Sequence, residues 1–257
     1  MLGAIIGDII GSAYEWNNVK HKQFELFTVT TNFTDDTVMT IATIDAIINN
    51  IPFNESYKKW FRKYPDEDYG VNFLYWGNSD SLEPYNSWGN GSAMRVSPVG
   101  FYYNTLDEVL LKSKESAEAT HNHPEGIKGA QATAAAIYLA KNNKEKHEIK
   151  EFIENTFGYD LNERLNSIRK WYDFDESCQG TVPQAIIAFL ESNNFEDSIR
   201  NAISIGGDSD TLACITGGIA EAYYKEIPEN ILSKVNLILP LEMKTLVNKL
   251  YGKRVLN

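Results

Sequence analysis

The 257-residue chain predicts an all-α fold, a compact single-domain orthogonal helical bundle spanning residues 1–257. Three observations predict it. Apolar residues recur at helical spacing through most of the chain, alternating strand patterns are scarce, and short polar turns separate the periodic segments. No linker-like composition shift, low-complexity tract or repeat divides the sequence. A hydrophobic content of 43% over this length is enough for one substantial core.

Taken in order, the first segment runs from Gly3 to Trp16, where glycines at helical spacing let a helix approach another closely and Glu15 falls where the apolar pattern yields to a polar loop. Val38, Ile41, Ile44, Ile47 and Ile48 then mark a helix. Residues 64–97 read as a long irregular stretch rich in Gly, Asn, Asp, Ser, Tyr and Trp, and a long loop inside a compact domain is more often functional than idle. A helix is expected over 106–119. Pro124 suits the first turn of the next, which continues through Ala130, Ala132, Ala134, Ala135 and Ala136 to Leu139; so small a surface suits a central helix. Further helices are expected over 149–156, 161–171, 183–192, 195–203, 212–224, 229–235 and 242–251.

A net charge of −11 argues against a general nucleic-acid surface or an anionic membrane as partner, since both are held by clustered Lys and Arg. Cys178 and Cys214 stand in no Cys-x-x-Cys arrangement and read as free core thiols of a reducing compartment. The first residues lack a basic region, Asp8 interrupts their apolar run, and no segment offers the roughly 20 apolar residues of a membrane span. A cytoplasmic monomer is therefore the expectation.

Two acidic clusters far apart in the chain are built alike: Phe33-Thr34-Asp35-Asp36-Thr37 and Gly207-Asp208-Ser209-Asp210-Thr211. Adjacent carboxylates resist joint ionisation unless a cation sits between them. Helix capping is the alternative for either cluster alone, because Asp and Thr are good N-caps and acidic first turns complement the helix dipole. One cap residue would suffice, yet each cluster supplies several. Folded together, the two would form a dinuclear metal cleft for two divalent ions, Mg2+ or Mn2+.

Pro84 to Arg95 places Gly89 and Gly91 among small polar residues at a helix entrance. Such a loop can turn backbone N–H groups toward a phosphate or sugar, although its spacing is neither a P-loop nor a dinucleotide fingerprint, and a tight turn closed by Asn and Gly is the alternative. Thr120-His121-Asn122-His123-Pro124 carries two of the four histidines. One is expected to be functional, preferably His121; the alternative is that one imidazole caps the helix and the other is solvated. Glu15, beside a dinuclear site, would be a natural general base for a water nucleophile.

The ordered set Gly7-Asp8-x-x-Gly11-x-x-x-Glu15, Thr34-Asp35-Asp36-Thr37, Gly89-Asn90-Gly91-Ser92-Ala93-Met94-Arg95, Thr120-His121 and Gly206-Gly207-Asp208-Ser209-Asp210-Thr211 resembles the ADP-ribosylglycohydrolase family over about residues 3–224. That family includes the dinitrogenase reductase-activating glycohydrolase and the ADP-ribosyl-arginine and ADP-ribosyl-serine hydrolases. The resemblance implies an all-α single domain with two divalent metals in a cleft. It assigns Thr34, Asp35 and Asp36 to one set of metal contacts and Asp208, Asp210 and Thr211 to the other, with Glu15, Asp35 and Asp210 in the catalytic group. It further implies that Ser87, Trp88, Gly89, Asn90, Gly91 and Ser92 hold the diphosphate and ribose, that His121 contacts the ligand, and that Tyr69 and Gly70 line the cleft.

The implied reaction is metal-dependent hydrolysis at the anomeric carbon of an ADP-ribosyl group, freeing ADP-ribose from an N- or O-linked acceptor, a protein side chain first among them. In one place the sequence departs from the family pattern. The arginine-specific dinitrogenase reductase-activating type has an Asp shortly after a Phe ahead of the glycine-rich loop, whereas Phe73 is followed by Leu74, Tyr75 and Trp76. Arginine specificity is accordingly not implied. The competing readings are a non-catalytic ADP-ribose-binding protein and a dinuclear-metal nucleotide phosphoesterase.

Overall fold

The computed structural model describes residues 1–257. In chain order its helices are α1 (Leu2–Gly11), α2 (Asp35–Asn49), α3 (Phe53–Lys63), α4 (Val71–Asn78), α5 (Gly91–Met94), α6 (Ser97–Tyr102), α7 (Leu106–Glu118), α8 (Pro124–Lys141), α9 (Lys146–Phe157), α10 (Leu165–Trp171), α11 (Cys178–Leu190), α12 (Phe195–Ile203), α13 (Ser209–Tyr224), α14 (Glu229–Ile238) and α15 (Leu241–Tyr251). A 3-10 turn, Ser12–Tyr14, follows α1. The one β feature is an isolated antiparallel bridge between Gly89 and Ser177. No helix is long and apolar enough to cross a membrane.

The centre of the molecule is the antiparallel pair α1 and α13, and small residues make it possible. A methyl group on Gly3 or Gly7 would collide with the carbonyl oxygen of Gly217 or of Ala213, and one on Gly11 would stand 2.5 Å from the Asp210 Cα. Every residue of α1 is buried. Because the helices run in opposite directions, the C-terminal end of α1 meets the N-terminal end of α13. That meeting puts Glu15 beside the second acidic cluster.

Ala-rich α8 is buried along most of its length, as expected of a central helix. Its Ala134 and Ile137 meet Gly100 of α6, and Gly129 lets Cys178 of α11 pack close. One apolar cluster of 60 buried residues runs through α1, α2, α8, α11 and α13. Cys178 and Cys214 are both free and buried.

The structure departs from the sequence expectation in five stretches. Residues 64–97 are not wholly irregular, because α4 and α5 lie within them. Aromatic, Gly and Asn residues of low helix propensity compose α4, and it is held by aromatic packing instead: Phe73 meets Phe61 at 5.8 Å, Tyr69 at 5.3 Å and Trp76 at 5.4 Å between ring centroids. Helix α11 begins at Cys178 rather than 183, since the Ser177 hydroxyl accepts from Gly180 N and Pro183 is accommodated in the helix interior. Helix α10 begins at Leu165 rather than 161. Helices α3 and α6 had no counterpart in the sequence reading.

Candidate functional site

Two turns bring the acidic groups together. After the 3-10 turn the chain reaches Glu15, and before α13 the consecutive residues Gly206 and Gly207 adopt φ of 77° and 71°, the left-handed region that glycine enters freely. Asn18 locks the two turns to each other. Its Oδ1 accepts from Gly207 N at 2.6 Å, and its Nδ2 donates to the carbonyls of Gly207 at 2.9 Å, Glu15 at 2.8 Å and Tyr14 at 2.7 Å. In consequence Glu15, Asp208 and Asp210 each offer a carboxylate oxygen within 4.8 Å of the others.

The first acidic cluster reaches the same cavity from the start of α2. Asp35 and Asp36 line it together with Glu15, Asp208, Asp210 and Thr211. The Thr211 hydroxyl donates to Asp36 Oδ2 at 3.2 Å, joining the clusters. Thr34 caps α2 and donates its hydroxyl to Asp8 Oδ1 at 2.7 Å, 3.4 Å from Asp210 Oδ2. Asp8 accepts in addition from the backbone N–H groups of Thr34 and Thr37, so this buried carboxylate holds the α2 N-terminus in place. Helix capping, the alternative considered for the clusters, is thus real for Thr34 and coexists with the convergence of the carboxylates.

The electrostatics of the cluster ask for positive charge. Burial, followed by repulsion from neighbouring carboxylates, holds Asp35, Asp36 and Asp210 well above the usual carboxylate range. Glu15 is pushed up to about 8 by burial and by the charges of Asp208, Asp68, Asp8 and Glu176. Asp8 rises to about 6 through burial, against the hydrogen bonds from Thr37 and Thr34. Asp36 Oδ1 is buried with no hydrogen-bond partner. An orphaned carboxylate oxygen within a mutually repelling, all-oxygen donor set fits a hard divalent cation.

The cavity, about 500 Å3, extends from these carboxylates along the glycine-rich loop. Asn90 N donates to Glu176 O at 2.7 Å and Cys178 N to Trp88 O at 3.1 Å, which pins the loop to the start of α11. Asn90 reaches the acidic cluster directly, its Nδ2 donating to Asp208 Oδ2 at 2.7 Å and to Thr181 Oγ1 at 3.0 Å. Ser87, Gly89, Asn90, Gly91, Tyr69, Gly70 and His121 all line the cavity. Trp88 instead is half exposed and does not line the cavity. Ser92 is fully buried and donates to Gly126 O at 2.7 Å. His123 caps α8 by accepting from Glu125 N.

Sequence reasoning missed three features. Asn18 is an undistinguished loop residue whose bonds are made across the fold. Thr181, which also donates to Asp175 O at 2.9 Å, and the Glu176 carbonyl hold Asn90 in place. Trp16 and Phe174, both exposed, stack with ring centroids 5.4 Å apart and planes 20° from parallel where they line the cavity. No local pattern announces that pair, because its partners are brought together only by the fold.

The profile of the ADP-ribosylglycohydrolase family matches residues 1–257. The chain belongs to this family. The ADP-ribosylhydrolase ARH3 of Mus musculus is 27% identical over 314 residues, an alignment that covers 90% of this chain and 84% of that protein. The ADP-ribosylarginine hydrolase Tri1 of Pseudomonas putida (strain GB-1) is 26% identical over 264 residues, covering 87% of this chain and 69% of that protein. A solved ADP-ribosylglycohydrolase-related protein complex has a TM-score of 0.74 at 23% identity, covering 98% of this chain and 95% of its own, and shows the likeness of fold. The all-helical bundle expected from the sequence is therefore the fold of an ADP-ribosylglycohydrolase, a hydrolase acting on glycosyl bonds.

Proposed function

We propose that this ADP-ribosylglycohydrolase is a divalent-metal-dependent enzyme that frees intact ADP-ribose from an N- or O-linked acceptor, most directly a modified protein side chain. The observation that carries the reading is the convergence of Glu15, Asp208 and Asp210 in the cavity that the Ser87–Gly91 loop also lines. Thr34, Asp35 and Asp36 on one side and Asp208, Asp210 and Thr211 on the other would hold two ions, Mg2+ or Mn2+. When bound, such ions polarise ribose hydroxyls and lower the pKa of water.

The remaining chemistry falls to the chain. Glu15 takes the proton of the attacking water, and its carboxyl, about 8 in the metal-free cluster, is easily tuned toward neutrality by neighbouring charge. Of the loop amides, those of Ser87, Gly89 and Asn90 are bonded to Thr120 O, Ser87 Oγ and Glu176 O, so the N–H groups of Trp88 and Gly91 are the ones that would receive the diphosphate. Tyr69 and Gly70 shape the cavity wall. Asn90 ties substrate loop to metal site through Asp208, so that the sugar and the carboxylates stay in register.

The test is a product-resolved assay on arginine-, serine- and nucleobase-linked ADP-ribose with Mg2+, Mn2+ or chelator. Release of intact ADP-ribose from one linkage, lost with chelator, is the expected result. Phosphate-bearing fragments would identify a phosphoesterase, and tight ADP-ribose binding without any release would identify a binding protein; either would overturn the proposal.

A further inference from the structure

We infer that Arg95 and Thr120 are positioning residues that lock His121 in the tautomer protonated at Nε2, so that the cleft presents a neutral N–H donor to an oxygen of the ADP-ribosyl group. The inference deepens the hydrolase reading and rests on it for the identity of the ligand. It is carried by a chain of hydrogen bonds that starts from a group able only to donate. Arg95, fully buried, can only donate, and its Nη2 gives one bond to Thr120 Oγ1 at 2.8 Å and one to Ser116 O at 2.9 Å. Thr120 Oγ1 lies 2.7 Å from His121 Nδ1.

Thr120 has one hydroxyl proton and is itself completely buried. With a lone pair already taken by Arg95, giving that proton to Nδ1 satisfies the hydroxyl and the ring nitrogen together. Were Nδ1 the donor, the Thr120 proton would need another acceptor, and a buried hydroxyl proton without one costs more than the bond it replaces returns. The Tyr85 phenol is a second acceptor near Thr120, but of the two the contact of Oγ1 that meets hydrogen-bond geometry is the one to Nδ1 at 2.7 Å. An Nδ1 acceptor leaves the ring proton on Nε2.

Nε2 is where a ligand would meet the ring. It makes no hydrogen bond within the protein, and a methyl group on Gly91 or Gly89 would stand 3.0 Å or 3.6 Å from it. His121 lines the cavity. The same geometry keeps the ring neutral: the Arg95 guanidinium, which has no carboxylate partner and sits 4.1 Å from the Tyr57 ring centre and against the C-terminal turn of α7, adds to burial in holding His121 well below its ordinary pKa.

The experiment is long-range 1H–15N correlation of the histidine rings, with His121→Gln assigning the signals among only four histidines. The wild-type protein is expected to show His121 as the Nε2–H tautomer, unchanged from about pH 5 to about pH 8. Thr120→Val is expected to mix the tautomers and weaken ADP-ribose binding about tenfold, with Thr120→Ser restoring both. An Nδ1–H tautomer or an imidazolium in the wild-type protein, or a Thr120→Val spectrum unchanged from wild type, would overturn the inference. Because the ring spectrum needs neither substrate nor turnover, a failed hydrolase assay and a failed relay are read separately.

Discussion

Glu15 is the residue at which binding and chemistry separate. It sits at the end of a rigid turn, with its carbonyl held by Asn18 and its carboxyl free to face the cavity. Glu15→Gln keeps shape and hydrogen-bonding capacity but removes the basic oxygen. It is expected to lower the single-turnover rate by about 100-fold or more, while ADP-ribose affinity by calorimetry stays within about threefold. Equal losses in rate and affinity would make Glu15 a metal-positioning group instead. Asn18→Ala tests the scaffold behind it: four hydrogen bonds disappear, two of them to Gly207, and Mn2+ affinity is expected to fall about 10-fold. Unaltered Mn2+ affinity would deny Asn18 that role. At this scale the sequence was readable wherever chemistry demands several unusual residues in a row, as at Thr34 to Asp36 and Asp208 to Thr211. It was silent on Asn18, on the Trp16–Phe174 stack and on the half-exposed placement of Trp88, each of which is decided by partners that only the folded chain supplies.

Among the elements, α1 and α13 decide whether a site exists at all. Their separation sets how far Glu15 stands from Asp208 and Asp210, and it is fixed by hydrogen atoms at Gly3, Gly7, Gly11 and Gly217. Gly7→Ala would drive a methyl into the Ala213 carbonyl, which is backbone and cannot rotate away. A stability loss of about 1–3 kcal/mol or more in urea unfolding is expected, with metal affinity falling as the turns separate. Gly70→Ala is the control for stability, because a methyl there meets nothing within 4 Å. Comparable destabilisation by both would show that glycine itself, rather than the close crossing, is what matters. Apolar residues at helical spacing and first-turn signals made α7, α8, α12 and α13 legible above all. They failed at α4, whose aromatic and polar residues become helical by packing on α3, and at the start of α11, where an interior proline reads as a first-turn signal in the sequence.

Across the whole molecule, a chain of net charge −11 concentrates its most crowded negative charge in the interior, and this links stability to protons and metal. Glu15, Asp8, Asp35, Asp36 and Asp210 all have folded-state pKa values above their ordinary range. Through these five groups the folded, metal-free protein binds more protons than the unfolded chain between about pH 4 and about pH 8, so their contribution to stability falls as pH rises through that window, against the opposite contributions of buried His121, the N-terminus and Lys146. A divalent ion competes with those protons, so the stabilisation it brings grows in the same direction. In chelator, the melting temperature is expected to drop between about pH 5 and about pH 8, and millimolar Mg2+ to raise it more at the upper end than at the lower. Asp210→Asn removes one of the repelling carboxylates along with a metal ligand. At about pH 8 it should be the more stable protein in chelator, by about 1–3 kcal/mol, and should gain nothing from Mg2+. A chelated wild-type protein whose melting temperature is flat or rises with pH would mean that the cluster is neutralised without a cation, and the metal assignment would fall with it.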